Sequence, residues 1–249
     1  MSRVVQVENL FVSINGREIL KDINFEVLQG EIFTIVGGSG SGKTSITKCI
    51  VGLWKPTKGK VKVFGKDINS LSIKELDSLR KDIGYVFQGS ALFDSLKVWE
   101  NVGFYYLERT NMSQKEIKQL ALEKLRLVGL DESVLELYPS ELSGGMKKRV
   151  GIARAIATNP KLIIYDEPTS GLDPITSRMI DDLILSLRDK TGTTSIVVSH
   201  DLISAFSISD RIMVLKDGKM VQIGSPQEIL SSEIPFVKEF LRSGFAHKT

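Results

Sequence analysis

Apolar residues recur in three different rhythms along the chain. Between residues 3 and 35, stretches such as VVQVENLFVSI and INFEVLQGEIFTIV are rich in β-branched and aromatic residues, and the turn-like NGRE and QGE interrupt them. That pattern predicts short strands joined by tight turns. GKVKVFG, after Pro56, predicts one more. Over residues 90–140 the rhythm becomes helical. In SQKEIKQLALEKLRLVGL, the residues Ile117, Leu120, Ala121, Leu125 and Val128 fall on one face, and Ser113 with Glu116 makes a capping box. Beyond Ser143, strands alternate with helices. KLIIYDE, TSIVVSH and RIMVLKDG read as strands, the first two apolar enough for the centre of a sheet. Shorter helices are expected at residues 44–51 and 73–79, and from Ser225, where Pro226 and Glu228 complete a second capping box. The sum is an α/β core with an antiparallel N-terminal layer and an inserted helical piece.

Composition narrows this only a little. The 249 residues are 42% hydrophobic and 25% charged, enough for a sizeable core in one large domain or two small ones. A net charge of +3 is too small to argue for nucleic acid, although a mildly basic surface is compatible with an anionic membrane. Cys49 is the single cysteine, so no intrachain disulfide can form, and a reducing compartment fits. It falls in the helix after GKTS, where a small core residue is the expected role. No apolar run approaches the roughly 20 residues needed to cross a bilayer. The first residues lack the apolar block of a signal peptide. The expectation is a soluble, cytoplasmic chain, with a membrane-bound partner left open.

The chemistry begins at GGSGSGKT, which fits G-x-x-x-x-G-K-[ST] over Gly37, Gly38, Ser39, Gly40, Ser41, Gly42, Lys43 and Thr44. The strand EIFTIV enters it and a helix leaves it, which is the context a phosphate cradle requires. Gly37, Gly40 and Gly42 let backbone N–H groups approach phosphate oxygens, and the helix N-terminus adds its dipole. Lys43 brings a point charge to the outer phosphates and Thr44 a hydroxyl to Mg²⁺. LIIYDEP is an apolar strand ending in two carboxylates. Asp166 is placed to hold Mg²⁺, and Glu167 to accept a proton from the attacking water or to orient it. Alone, such a pair would as readily be an acidic strand cap. Gln88 ends IGYVFQ, and His200 ends SIVVSH. By themselves a surface amide and a structural histidine are the plainer readings. Because Gln88, Asp166 and His200 all close predicted strands, one shared crevice is expected.

A second glycine-rich stretch, ELSGGMKKRV, opens another helix. Ser143 can cap that helix and leave its N-terminal N–H groups aimed at an anion. Lys147, Lys148 and Arg149 read as a solvated face of it.

These stretches, in this order, resemble the ATP-binding cassette (ABC) ATPases, from the first strands to about Leu230. GGSGSGKT resembles Walker A, VFQ the Q-loop, LSGGM the signature, LIIYDE Walker B, SGLD the D-loop and SH the switch histidine. The resemblance implies a P-loop NTPase with a RecA-like core, a helical subdomain over about residues 90–155, and a short tail over about 231–249. It implies that residues 37–44 bind ATP with Mg²⁺ and that Glu167 is the general base. Gln88 would link the metal to a transport partner and His200 would sense the γ-phosphate. Ser143, Gly144 and Gly145 would touch the γ-phosphate held by a second copy of the chain, and Asp173 would cross the interface. The family's aromatic for adenine is left unassigned: alignment puts Ile14 there, and strand alternation turns Phe11 to the opposite face unless a bulge intervenes.

Within the family, FQGSALFDSLKVWENV, Met146, LDPITS and the tail PFVKEFL resemble the MlaF-like ATPases of Mla/Mce-type lipid transporters. Ala91, Leu92 and Phe93 would suit a groove for a partner's helix, or pack within the helical subdomain. That resemblance implies a homodimer on the cytoplasmic face of the inner membrane, bound to a permease dimer and an MCE-domain protein. It leaves room for a STAS-domain regulator and implies glycerophospholipid movement between two membranes. The alternatives are a cassette for another substrate such as an amino acid, a non-transport cassette, and an ATP-gated assembly protein without turnover.

Overall fold

The computed structural model describes residues 2–246, so the end of the expected tail, with His247, lies outside the described residues. Arg3–Ile14 (β1) and Arg17–Leu28 (β2) pair antiparallel as a hairpin. Its turn places both Asn15 (φ 51) and Gly16 (φ 77) in the left-handed region, the conformation a two-residue hairpin turn needs. Ile32–Gly37 (β3) leads through the glycine loop into Lys43–Ile50 (α1). Lys58–Val63 (β4) and Lys66–Asp67 (β5) return to β1, giving a four-stranded antiparallel layer in the order β2-β1-β4-β5. Ile73–Arg80 (α2) precedes Ile83–Val86 (β6).

Three helices follow: Val98–Arg109 (α3), Gln114–Leu127 (α4) and Gly144–Ala155 (α5). The capping box of Ser113 and Glu116 starts α4, and Ile117, Ala121, Leu125 and Val128 are buried along it. Helices α3 and α4 meet closely at Gly103, where a Cβ would stand 2.2 Å from Ile117 Cγ2. No local pattern announces that glycine, because its reason lies on another helix.

The rest alternates: Leu162–Asp166 (β7), Pro174–Thr191 (α6), Thr194–Ser199 (β8), Leu202–Ile208 (α7), Arg211–Lys216 (β9), Lys219–Gly224 (β10), Pro226–Leu230 (α8) and Pro235–Ala246 (α9). These four strands join β3 and β6 in the second sheet, ordered β10-β9-β3-β8-β7-β6, parallel except for β10. The period of two in the strands assigns the cores. Phe33, Ile35, Ile164, Ile196 and Val198 face the antiparallel layer and α1. Ile32, Ile163, Tyr165 and Val197 face the α3–α6 side. Ile212 and Val214 face α7 and α9. Strands β3, β7 and β8 are buried throughout, as their continuous apolar runs require. Charged side chains are therefore left to the strand ends.

Candidate active site

The carboxyl ends of the parallel strands converge on a cleft of about 490 Å³. Ser39, Gly40, Ser41, Gly42, Lys43 and Thr44 line one side, and Gln88, Glu167 and His200 the other. The glycine loop is shaped by close approach. A Cβ on Gly37 would stand 2.4 Å from the Leu215 carbonyl oxygen of β9. Gly42 (φ 105) begins α1 in a left-handed conformation with Leu20 Cδ2 2.7 Å from where its Cβ would be. No side chain caps α1, so its first-turn N–H groups face the cleft available to an anion.

Lys43 is 8% exposed. Its ammonium donates to the carbonyls of Gly37 (2.8 Å) and Gly38 (3.2 Å) and lies 3.9 Å from Glu167 Oε1. Burial pulls its pKa down, and the Glu167 and Asp166 carboxylates oppose that fall. Thr44 Oγ1 donates to Asp166 Oδ1 at 3.1 Å. Tyr85 donates to Asp166 Oδ2 at 3.1 Å and shares a hydrogen bond with Thr47 at 2.9 Å. Burial holds the Tyr85 phenol well above its ordinary range, so it stays a donor. Among the described residues, no group of three or more His, Cys, Asp or Glu side chains is placed to hold an ion. Mg²⁺ needs no such cage. One or two hard oxygen donors beside a substrate's phosphates suffice, and Thr44 and Asp166 offer oxygens of that kind side by side.

Glu167 follows β7 with φ 52, a left-handed conformation unusual for a non-glycine residue. Its Oε2 lies 2.7 Å from His200 Nδ1 and accepts from the His200 backbone N–H at 3.3 Å. His200 leaves 61% of its side chain exposed at the cleft's mouth. Gln88 Nε2 donates to Ser170 Oγ at 3.4 Å.

The model of the ABC transporter family matches residues 20–170. The chain belongs to the ABC transporter ATPase family. Methionine import ATP-binding protein MetN of Carboxydothermus hydrogenoformans is 42% identical over 96% of this chain and 72% of its own. Intermembrane phospholipid transport system ATP-binding protein MlaF of Haemophilus influenzae is 41% identical over 96% of this chain and 90% of its own. The dimeric post-hydrolysis structure of the cassette MJ0796 bound to ADP and Pi superposes with a TM-score of 0.81 at 37% identity, covering 89% of this chain and 98% of that one. This ABC ATPase therefore has the P-loop NTPase fold, binds nucleotide and hydrolyses ATP as the ATP-binding subunit of a transporter. ATPases of the family form dimers and work with a membrane permease. Among the described residues no helix is long and apolar enough to cross a membrane.

Four candidate residues stand apart from the cleft. Ser143, Gly144, Gly145 and Asp173 are not among its lining residues. They gather on a separate surface where α5 meets the start of α6. Ser143 caps α5 through Met146 N–H at 3.2 Å, and a Cβ on Gly145 would stand 2.7 Å from Thr176 Cγ2. Asp173 caps α6, accepting from the N–H groups of Ile175 (3.0 Å) and Thr176 (2.9 Å). Within one chain, then, the second glycine stretch does not serve the first.

Three contributors escape a reading by local pattern. Lys148 is not on a solvated helix face. It is 5% exposed, and its ammonium donates to the Gln88 carbonyl and, at 3.2 Å, to that of Glu167. The apolar side chain lining the cleft is Ile19 of β2, not Ile14, which is 38% exposed at the end of β1. Register shifts between Leu10, Val12 and Ser13 interrupt the alternation that would set Phe11 on the face opposite Ile14. Tyr85, one residue from the end of β6, supports Asp166. A tyrosine in IGYVFQ carries no signal of that role by itself.

Proposed function

We propose that this ATPase powers glycerophospholipid movement between the inner and outer membranes of a cell envelope. It would act from the cytoplasmic face of the inner membrane, through a permease dimer and an MCE-domain protein, with room for a STAS-domain regulator. The observation that carries the lipid reading is the segment after Gln88. GSALFDSLKV, of lipid-transporter type in sequence, leaves Phe93 43% exposed, and Phe87, just before Gln88, is exposed to the same extent. Phe93 packs on Phe104, with ring centroids 4.5 Å apart, and under the Arg154 guanidinium at 5.7 Å. Such an apolar prominence suits a partner's helix. The likeness to MlaF over 90% of that protein supports the same reading. An amino-acid importer is the second reading, supported by the comparable likeness to MetN.

The site suits in-line attack of water on the γ-phosphate. The N–H groups of residues 38–44 would hold the β- and γ-oxygens, and Lys43 would exchange the Gly37 and Gly38 carbonyls for phosphate. Thr44 and Asp166 would hold Mg²⁺, with Gln88 reaching toward it from the facing wall. Mg²⁺ held there would supply positive charge to offset the negative charge developing on the phosphates. Glu167 would take the proton from water as the new P–O bond forms and the bond to ADP breaks. His200 would steady Glu167 and contact the γ-oxygen. Ser143, Gly144 and Gly145 of a second copy would complete the γ-phosphate's shell, with Asp173 at the contact.

Glu167→Gln is expected to retain an ATP-bound dimer with little turnover. Wild-type hydrolysis by that variant would remove Glu167 as the base. For the substrate, proteoliposomes carrying the chain with its permease separate the readings. Phospholipid-dependent ATPase activity and lipid transfer support the first, and methionine-stimulated turnover without lipid transfer contradicts it.

A further inference from the structure

Lys148 sits where three segments meet. It lies in the second turn of α5, the helix whose N-terminus Ser143 caps. Its ammonium donates to the carbonyls of Gln88 and Glu167, residues just past the ends of β6 and β7. Arg154, further along the same helix, donates to the carbonyls of Ser90 (2.7 Å) and Ala91 (2.8 Å). Between the two cations, Gly151 lets the loop lie directly on the helix, since a Cβ there would stand 3.3 Å from Ser90 Cβ. Ser90 (φ 62) and Ala91 (φ 45) are both left-handed, so the loop takes a shape that needs holding. Residues 88–91 are thus fastened to α5 at three places.

Glu167 is held by the same helix. Its own φ is 52, its N–H donates to the Val198 carbonyl at 2.9 Å, and its carbonyl accepts from Lys148. With both flanking peptides fixed, the carboxylate leaves the backbone in one direction, toward His200 Nδ1. A buried ammonium is a costly way to fill space. Desolvation pushes its pKa down while Glu167 and Asp166 hold it up. Methionine would occupy a similar volume without that cost, so packing alone gives no reason for a lysine here.

We propose that Lys148 is a positioning residue for ATP hydrolysis, which fixes the backbone of Glu167 and ties it to the Gln88 loop and to helix α5. The proposal rests on reading Glu167 as the general base. Any shift of α5 when a γ-phosphate seats at its N-terminus then reaches the base and the permease-facing loop together, through one side chain.

The test is steady-state ATPase kinetics of the full chain with Lys148→Met and Lys148→Arg, beside thermal unfolding and nucleotide-binding affinity. Lys148→Met is expected to lower kcat about ten- to a hundredfold, as for a misplaced catalytic group, with KM for ATP and Tm close to the parent's. Lys148→Arg, which keeps donors for both carbonyls, is expected to regain most of the lost rate. If Lys148→Met keeps its kcat, or loses kcat, affinity and Tm together, Lys148 only packs and the proposal falls. Should the Met variant be insoluble, Lys148→Gln, one bond too short to span both carbonyls, is held to the same outcomes. Glu167→Gln in parallel separates the two readings. If it turns over like the parent, the base assignment fails and the positioning role with it. If it is inactive while Lys148→Met is unimpaired, only the positioning role fails.

Discussion

Gly145→Ala probes how α5 is seated against α6. The added Cβ would stand 2.7 Å from Thr176 Cγ2. Carbon atoms in contact prefer about 3.5–4.0 Å, so the neighbour must give way. Thr176 is poorly placed to do so. Its hydroxyl donates to Asp173 Oδ2 at 2.5 Å and its N–H to Oδ1 at 2.9 Å. Overpacking of this kind costs about 1–3 kcal/mol. Replacing a helical glycine by alanine offsets roughly 0.5–1 kcal/mol of that. The net expectation is a loss of about 1 kcal/mol, with α5 pushed from its seat. Thr176→Ser removes the methyl and keeps the hydroxyl on Asp173. In that background the same Gly145→Ala should stabilise by about 0.5 kcal/mol, because only the backbone effect remains. Urea unfolding of the four proteins, without nucleotide, closes the double-mutant cycle and should give a coupling of about 1–2 kcal/mol. An equal cost of Gly145→Ala in both backgrounds would refute the contact as the reason for glycine.

Three further outcomes follow from the geometry. Cys49 is fully buried and its thiol is pushed up to about 12, so it should resist Ellman's reagent at pH 8 until urea unfolds the chain; fast labelling of the native protein would contradict this burial. Hydrogen bonds from Ser113 hold the Glu116 carboxyl below its ordinary pKa. A depressed carboxylate stabilises the fold above its unfolded pKa, about 4.3, and that share is lost as pH falls through the folded value. Glu116→Gln should therefore lower Tm at pH 7, with the gap to the parent closing below about pH 4, and a gap constant with pH would count against it. Ile19→Ala should weaken ATP binding about fivefold, or about 1 kcal/mol, with kcat at saturating ATP retained; unchanged affinity in a fluorescent-nucleotide titration would take Ile19 out of the site.

Much of this molecule was legible from local pattern because its causes are local. The strands β3, β7 and β8 are continuous apolar runs, and they are buried on both faces. Gly37, Lys43 and Thr44 lie within one loop and helix, so their spacing alone was enough to expect a phosphate cradle there. Asp166 ends β7, and Glu167 and His200 follow β7 and β8, which pair in parallel, so Glu167 meets His200 while Asp166 meets Thr44. What stayed hidden depends on segments distant in sequence. The run Lys147, Lys148, Arg149 reads as a charged face. Lys148 is buried because residues 88–91 cross α5 there, which helical periodicity cannot show. Ile19 lines the cleft because the start of β2 lies against the glycine loop, its carbonyl oxygen 3.4 Å from where a Cβ on Gly42 would be, a contact between segments that no pattern within β2 shows. Gly103 and Gly145 answer to Ile117 and Thr176, each on another helix.

The central claim is that each ATP is cleaved between two chains, the Lys43 cleft of one and the Ser143 helix end of the other. Mixing two inactive variants tests it most directly. Lys43→Ala disables the cleft. Gly144→Asp places a negative charge at the helix N-terminus, where it repels phosphate. It should fold, because a Cβ there meets only Leu172 Cδ2, at 3.7 Å. In a mixed dimer one site joins two damaged halves and the other joins two intact halves. An equimolar mixture should therefore regain up to about a quarter of wild-type ATPase activity, with half the dimers mixed and one good site in each. A mixture no more active than either variant alone would contradict the shared site.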